Sequence, residues 1–375
     1  MTLFNVPDYL DWPAQFCLLI TGITWIASIV TSNVSQVDRF WTFLPTIYTA
    51  YYALLPLLPN SQPFLFVPYA PKSLGWSSLK DFSPRALLML TLITIWMFRL
   101  SYNTYRRGLF NLQDEDYRWA VLRKQLPPWL FQVTNLTFIS GIQNVLLLLL
   151  GLPTYVASVL QPHTSLTTVD YQLTLIAFAI LICEFTADNQ QFAFHAYKHA
   201  YLAKEKGEKG VKPYNPKEQW PGARLAWTPN DAKRGFITRG LWRYSRHPNF
   251  ACEQSFWWLM TIFPLMEPSA NSPLPKLLEA LENQDAGQLR AVLLPSLWFF
   301  MPALALSTLF FSSTLYTEQI TSSKYTAYSF YQRRVGMFTP LDTLVRALKV
   351  NLLDGKREAK LVYQKVWGAS QPKIE

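Results

Sequence analysis

Gly240-Leu-Trp-Arg-Tyr-Ser-Arg-His-Pro-Asn249 continues as Phe-Ala-Cys-Glu253 and then runs into the apolar stretch Phe256-Trp-Trp-Leu-Met-Thr-Ile-Phe-Pro-Leu-Met266. Arginines, a histidine, an amide and a carboxylate at the head of a lipid-compatible run are costly in a bilayer, so they predict a membrane boundary that holds something charged. Outward from this point the chain repeats the same contrast. Half of its 375 residues are hydrophobic and only 15% are charged, against about 25% in an average soluble domain. Apolar blocks near 14–32, 40–58, 86–104, 136–159, 171–187, 250–268 and 291–316 each approach the roughly 20 residues that cross the hydrocarbon. The expected fold is an all-α, polytopic membrane bundle with seven transmembrane helices. A soluble helical protein is the alternative, but Leu146–Leu150 and the run Leu293–Leu309 are hard to place in water.

Charge sorts with the spans. The connections 105–135 and 188–249 and the tail after 316 carry 5, 12 and 10 of the 34 Lys and Arg. The opposite side holds Lys72, Lys80, Arg85, Lys276 and Arg290. The positive-inside rule then puts the three basic segments and the C-terminus in the cytoplasm and the N-terminus in the lumen or outside. The net charge of +10 is a topology and anionic-lipid signal. No basic face of a soluble module points to nucleic acid. The N-terminus lacks the cationic region of a cleaved signal peptide, so the first span is expected as a retained anchor. Cys17, Cys183 and Cys252 fall in or beside apolar blocks and read as small buried hydrophobes.

The organisation expected is one integral membrane domain over 1–375. Within it, 201–236 is a mobile cytoplasmic loop rich in charge, Gly and Pro, 237–340 is the cofactor-binding part, and 341–375 is a cytoplasmic tail. An amphipathic connection is expected over 269–289. The final thirty-odd residues alternate Leu and Val with Lys and Arg, as in a helix lying on a membrane surface.

Three side-chain groups carry chemistry. In the first, Pro248 suits the N1 position of a helix, and the amides there, with the forks of Arg243 and Arg246 beside His247, suit a phosphate. Asn249 both donates and accepts, and Glu253 lies one turn further on the same face. Juxtamembrane anchoring is the competing explanation, above all for Trp242 and Tyr244. In the second, Glu184, Asp188 and Gln191 share a helical face, where a structural ion pair is the alternative. His195 and His199 lie four apart but lack the Glu of a zincin motif, and no metal is expected. In the third, Arg99 and Tyr102 close the third span, and Tyr102 is a possible proton donor to a carbonyl oxygen. The tail adds Tyr328, Tyr331, Arg333 and Arg334 as a cationic, aromatic clamp or as surface anchors. No GxGxxG, P-loop, nucleophile elbow or CxxC pair is present.

Taken with Asp38-Arg-Phe-Trp41, Asp114-Glu-Asp-Tyr-Arg-Trp119, Ala187-Asp188-Asn-Gln190 and Tyr328-Ser-Phe-Tyr-Gln-Arg-Arg334 with Pro340, the segment 240–253 resembles the steroid 5-alpha-reductase-like membrane family, in its broad uncharacterised branch. The resemblance covers most of the chain, although the Arg-His-Pro core is shared with membrane isoprenylcysteine and phospholipid methyltransferases. It implies a seven-span bundle with an NADPH pocket open to the cytoplasm. Asp188, Arg246, Asn249 and Glu253 would line that pocket, with Tyr331 and Arg333 from the tail. Hydride would pass to the β carbon of a lipid-like enone, with Tyr102 as the acid and Glu253 beside the reacting centre. Ala251-Cys252 stands where the family commonly has a small residue and a glycine, and the N-terminal carboxylate and Tyr of the steroid enzymes have no counterpart. The function expected is a membrane NADPH-dependent reductase of a lipid enone or alkene, partnered by membrane lipids, in the endoplasmic reticulum or a bacterial inner membrane. An S-adenosylmethionine-dependent methyltransferase and a non-catalytic lipid- or sterol-binding protein are the alternatives.

Overall fold

Why the apolar blocks become helices of such different lengths follows from where proline and polar residues interrupt them. The computed structural model describes residues 6–76, 79–267 and 273–368, and among these there is no strand. Among the described residues, five segments are long and apolar enough to cross a membrane. They are α1 (Asp8–Val30), α4 (Pro84–Arg106), α6 (Pro128–Leu160), α7 (Thr168–Glu205) and the part of α11 (Ala286–Lys324) from Trp298 onward. The chain is therefore a helical membrane protein. Between α1 and α4 lie the short α2 (Gln36–Trp41) and α3 (Leu44–Ala53). The block expected to span at 40–58 is thus broken: Pro45 opens α3 and the 3₁₀ turn Leu55–Leu57 carries Pro56. Ten residues of helix cover about 15 Å, half a bilayer core. The other short member, α9 (Pro248–Leu265), has 18 residues, and its first turns hold Asn249, Glu253 and Gln254.

The chain divides into two compact units, residues 1–177 with 257–307 and residues 178–256 with 308–375. In the first unit, Trp12, Tyr51, Tyr52, Tyr155 and Val156 form an aromatic core. Arg85 and Asp170 make a buried two-pronged ion pair at 2.7 and 2.9 Å, with Thr167 also donating to Asp170. Two of the sequence motifs, Asp38–Trp41 and Asp114–Trp119, turn out to be one clamp. Trp119 Nε1 donates to Asp38 at 3.1 Å, the Asp116 N–H to Ser35 at 3.0 Å, and Arg39 to the Asp114 carbonyl at 2.8 Å. The clamp is completed by α5 (Tyr117–Gln125), whose N-cap is Asp116.

The second unit collects the polar motifs. The segment expected as a mobile loop at 201–236 is pinned at several points. It carries 3₁₀ turns and α8 (Pro229–Arg234), which has a full capping box between Thr228 and Asp231. Buried Asp231 is paired with Arg234 and, at 2.7 Å, with Arg239. After α10 (Pro273–Glu282) and α11 come α12 (Tyr328–Arg334), α13 (Pro340–Leu352) and α14 (Gly355–Trp367). The expected tail is therefore two helices, whose Val350, Val362 and Val366 pack with Phe236, Tyr328 and Tyr331. The other face of α13 exposes Leu341, Leu344, Leu348 and Leu352. Part of the expected connection 269–289 lies outside the described residues.

Candidate functional site

The approach to α9, which contains the 3₁₀ turn Gly240–Arg243, is fixed before its side chains do anything. Gly240 has φ +65°, and a Cβ there would meet Gln190 Oε1 at 2.4 Å, so only glycine fits. Gln190 Oε1 in turn accepts the Leu241 N–H at 2.8 Å, and Trp242 Nε1 donates to the Ala187 carbonyl at 3.2 Å. The motif on α7 and the motif before α9 are thereby locked together. On the other side the Arg246 and His247 N–H groups donate to the Gly336 and Met337 carbonyls at 2.9 and 3.1 Å. Tyr331, buried, donates its hydroxyl to the Trp242 carbonyl. Pro248 is the first residue of α9, as its sequence position predicts.

Buried Arg246 is engaged on all sides within the protein. Its Nε and Nη2 grip Glu318 at 2.6 and 3.0 Å, and Nη1 donates to the carbonyls of Gln332 and Val335. Glu318 also accepts from His247 Nε2 at 2.9 Å, Tyr328 at 3.0 Å and Gln332 at 2.9 Å. A single buried carboxylate thus organises the Arg-His pair and the tail motif. Burial lowers the pKa of His247 despite the Glu318 hydrogen bond, and because a carboxylate only accepts, Nε2–H is the donor to it. Burial likewise raises the hydroxyl pKa of Tyr328 and Tyr331. Glu318 is absent from the sequence-predicted site. The only signal for it is that a buried arginine at a membrane boundary demands a carboxylate, and the polar start Thr317-Glu-Gln of the last segment supplies one.

Asp188, on α7, accepts from Asn249 Nδ2 at 3.1 Å. The carboxamide is held by that bond, while its oxygen Oδ1 is buried and has no partner. Glu253 lies one turn on from Asn249 and is 5% exposed, and Glu184, one turn before Asp188, is also buried. These four residues form a polar patch on facing turns of α7 and α9. Beside it the thiols of Cys183 and Cys252 touch through a hydrogen bond, both half-buried, whereas Cys17 is fully buried.

The remaining predicted residues stand elsewhere. Arg243 is exposed, and its guanidinium lies 5.2 Å from the centre of the Trp367 ring. Arg333 points to α14, pairing with Asp354 at 2.9 Å and Glu358 at 2.6 Å. Tyr102, in the first unit, is 51% exposed, with the Arg106 guanidinium 5.2 Å from its ring centre. His195 and His199 stack at 6.0 Å. Among the described residues no group of three or more His, Cys, Asp and Glu is placed to hold a metal.

A helical membrane protein with a buried amide and acid patch behind an Arg–His–Glu lock is the class that fold and site define. Residues 24–274 match the family described as "Protein of unknown function (DUF1295)", and the chain belongs to that family. It is also similar to "Uncharacterized protein C594.04c" of Schizosaccharomyces pombe, 30% identical over 322 residues, which are 86% of this chain and 77% of that protein. No solved structure matches.

Proposed function

We propose that the protein is a membrane reductase that uses NADPH to reduce the activated double bond of a lipid-like enone or alkene. The observation that carries this is Asn249. Its amide nitrogen is tied to Asp188 while its buried oxygen has no donor, so a ligand N–H or O–H directed at it recovers a full hydrogen bond. A carboxamide or ribose hydroxyl of a dinucleotide provides that donor, and Asp188 and Glu253 accept from neighbouring hydroxyls. Arg246 is spent on Glu318, so its role in this proposal is to position His247 and the start of α9. Arg243, exposed and paired with no carboxylate among the described residues, is the cation available to phosphates. When bound, the cofactor supplies a hydride to the β carbon of the substrate. The chain supplies the dry polar patch and the orientation of the amide, and the enolate left by hydride addition takes its proton from water. Similarity of the motifs to steroid 5-alpha-reductase-like proteins supports the same chemistry, and a cytoplasmic position for the patch, in an endoplasmic reticulum membrane, is part of the proposal. The purified full chain in detergent is expected to show a saturable rise in melting temperature with NADPH. A saturable rise with S-adenosylmethionine and none with NADPH overturns the proposal in favour of methyl transfer.

A further inference from the structure

We infer that the first unit carries a separate binding site for a neutral, hydroxyl-bearing lipid, between the end of α1 and the π-helical stretch of α6. A cavity of about 260 Å³ opens there, lined by Ser28, Ile29, Ser32, Arg123, Phe131 and Asn135 among others. Residues Asn135–Ile142 of α6 are π-helical, a local widening that recurs at functional sites. It turns Asn135 toward α1, where its Nδ2 donates to Ser28 Oγ at 2.8 Å. Asn135 is 1% exposed, yet its oxygen Oδ1 has no partner. The same seam continues inward. Asn144 Nδ2 donates to the Ser140 carbonyl at 2.8 Å, while the carboxamide oxygens of Gln143 and Asn144 are also buried and unpartnered. Acceptors left without donors define what fits: a ligand that gives hydrogen bonds.

The charges decide between headgroups. Arg123 is the cation at the cavity, and it is already engaged, with Glu115 gripping both its terminal nitrogens at 2.7 and 2.8 Å and its plane 4.8 Å from the Phe131 ring centre. Glu115 is itself fixed by the Val34 N–H at 2.9 Å. A phosphate or carboxylate head would meet unpaired carbonyl oxygens and a neutralised arginine, whereas a hydroxyl meets the oxygen it needs. The tail has an apolar path on the exposed side chains of Ile29, Val30, Val133 and Leu136. The class is thus a lipid alcohol, either an acylglycerol or a sterol, and the assignment does not depend on any reductase activity.

The test is photolabelling of the full chain in detergent with 1-monooleoylglycerol carrying a diazirine in its acyl chain. Saturable labelling is expected on peptides containing Ile29 and Val133–Leu136. Unlabelled monooleoylglycerol or cholesterol should compete, and whichever does so better identifies the source of the hydroxyl. Asn135→Leu should cut labelling by about tenfold, the worth of one hydrogen bond to a buried acceptor. Gln132→Trp, at an exposed lining position, should do the same by filling the mouth without touching the core. Labelling unchanged in the folded Gln132→Trp variant overturns the inference. So does competition by dioleoyl phosphatidic acid equal to that by the neutral lipids.

Discussion

Arg246 and Arg333 look alike in sequence, two cations in motifs on the same expected side of the membrane, and the structure gives them opposite standing. Arg246 is buried against Glu318, while Arg333 lies 43% exposed between Asp354 and Glu358. Removing one partner of a buried ion pair leaves an unpaired charge and costs about 3–5 kcal/mol, so Glu318→Ala should sharply lower the unfolding temperature in detergent. Arg333→Ala removes a surface pair and should cost no more than about 1 kcal/mol. Equal losses in the two variants would refute this ranking. His247 adds a pH signature. Its pKa is lowered from the ordinary 6.5 by burial, so on acidification the unfolded chain takes up a proton before the folded one does. The stability tied to the neutral ring is complete above that value and declines as pH falls through it toward the folded pKa. A His247→Gln variant should show a flatter acid limb in a melting-temperature profile. At this scale the sequence singled out Arg246, His247, Asn249, Asp188 and Glu253 through their types, their spacing and the family resemblance. It could not reveal Glu318, which contacts them across more than sixty residues of chain, nor that Arg333 turns to a helix twenty residues further on.

Elements were legible where apolar runs were uninterrupted and less so where they were not. The long α1, α4, α6 and α7 follow from continuous hydropathy, whereas Pro45 and Pro56 shorten the second block in a way that a composition window smooths over. The two π-helical stretches of α6, Asn135–Ile142 and Val156–Leu160, leave no mark in the residue pattern. The C-terminal helices illustrate a related limit. Their alternation of Leu and Val with Lys and Arg is compatible with a membrane-surface helix, but Val350, Val362 and Val366 face protein. Val362 is fully buried against α12. Val362→Asp should therefore expose α12 to protease in limited digestion, while Leu344→Asp, at a 55% exposed position of α13, should leave the digestion pattern unchanged. Cleavage of both variants at the same rate as the parent would remove the structural role given to α14.

For the whole molecule, charge and helix length make different demands. If only the five long helices crossed, the basic connection 107–127 and the C-terminal helices would lie on opposite faces. The positive-inside rule predicts that they share a face, which calls for one further crossing between them, at α9; a crossing at α2–α3 would change only the side of the N-terminus. Accessibility tags at 112, 210 and after 355 should therefore all be reached from the same side in sealed vesicles. A tag after 355 reached from the face opposite to the tags at 112 and 210 would mean that α9 does not cross. The central claim is narrower than the topology: the patch of Asp188, Asn249 and Glu253 receives a reduced dinucleotide. Titration of NADPH into the full chain in nanodiscs, followed by the nicotinamide fluorescence of the bound form, tests it most directly. The account predicts saturable binding that Asn249→Ala weakens by about tenfold while the protein stays folded. Binding of equal strength in the parent and in Asn249→Ala, or none in the folded parent, would contradict it.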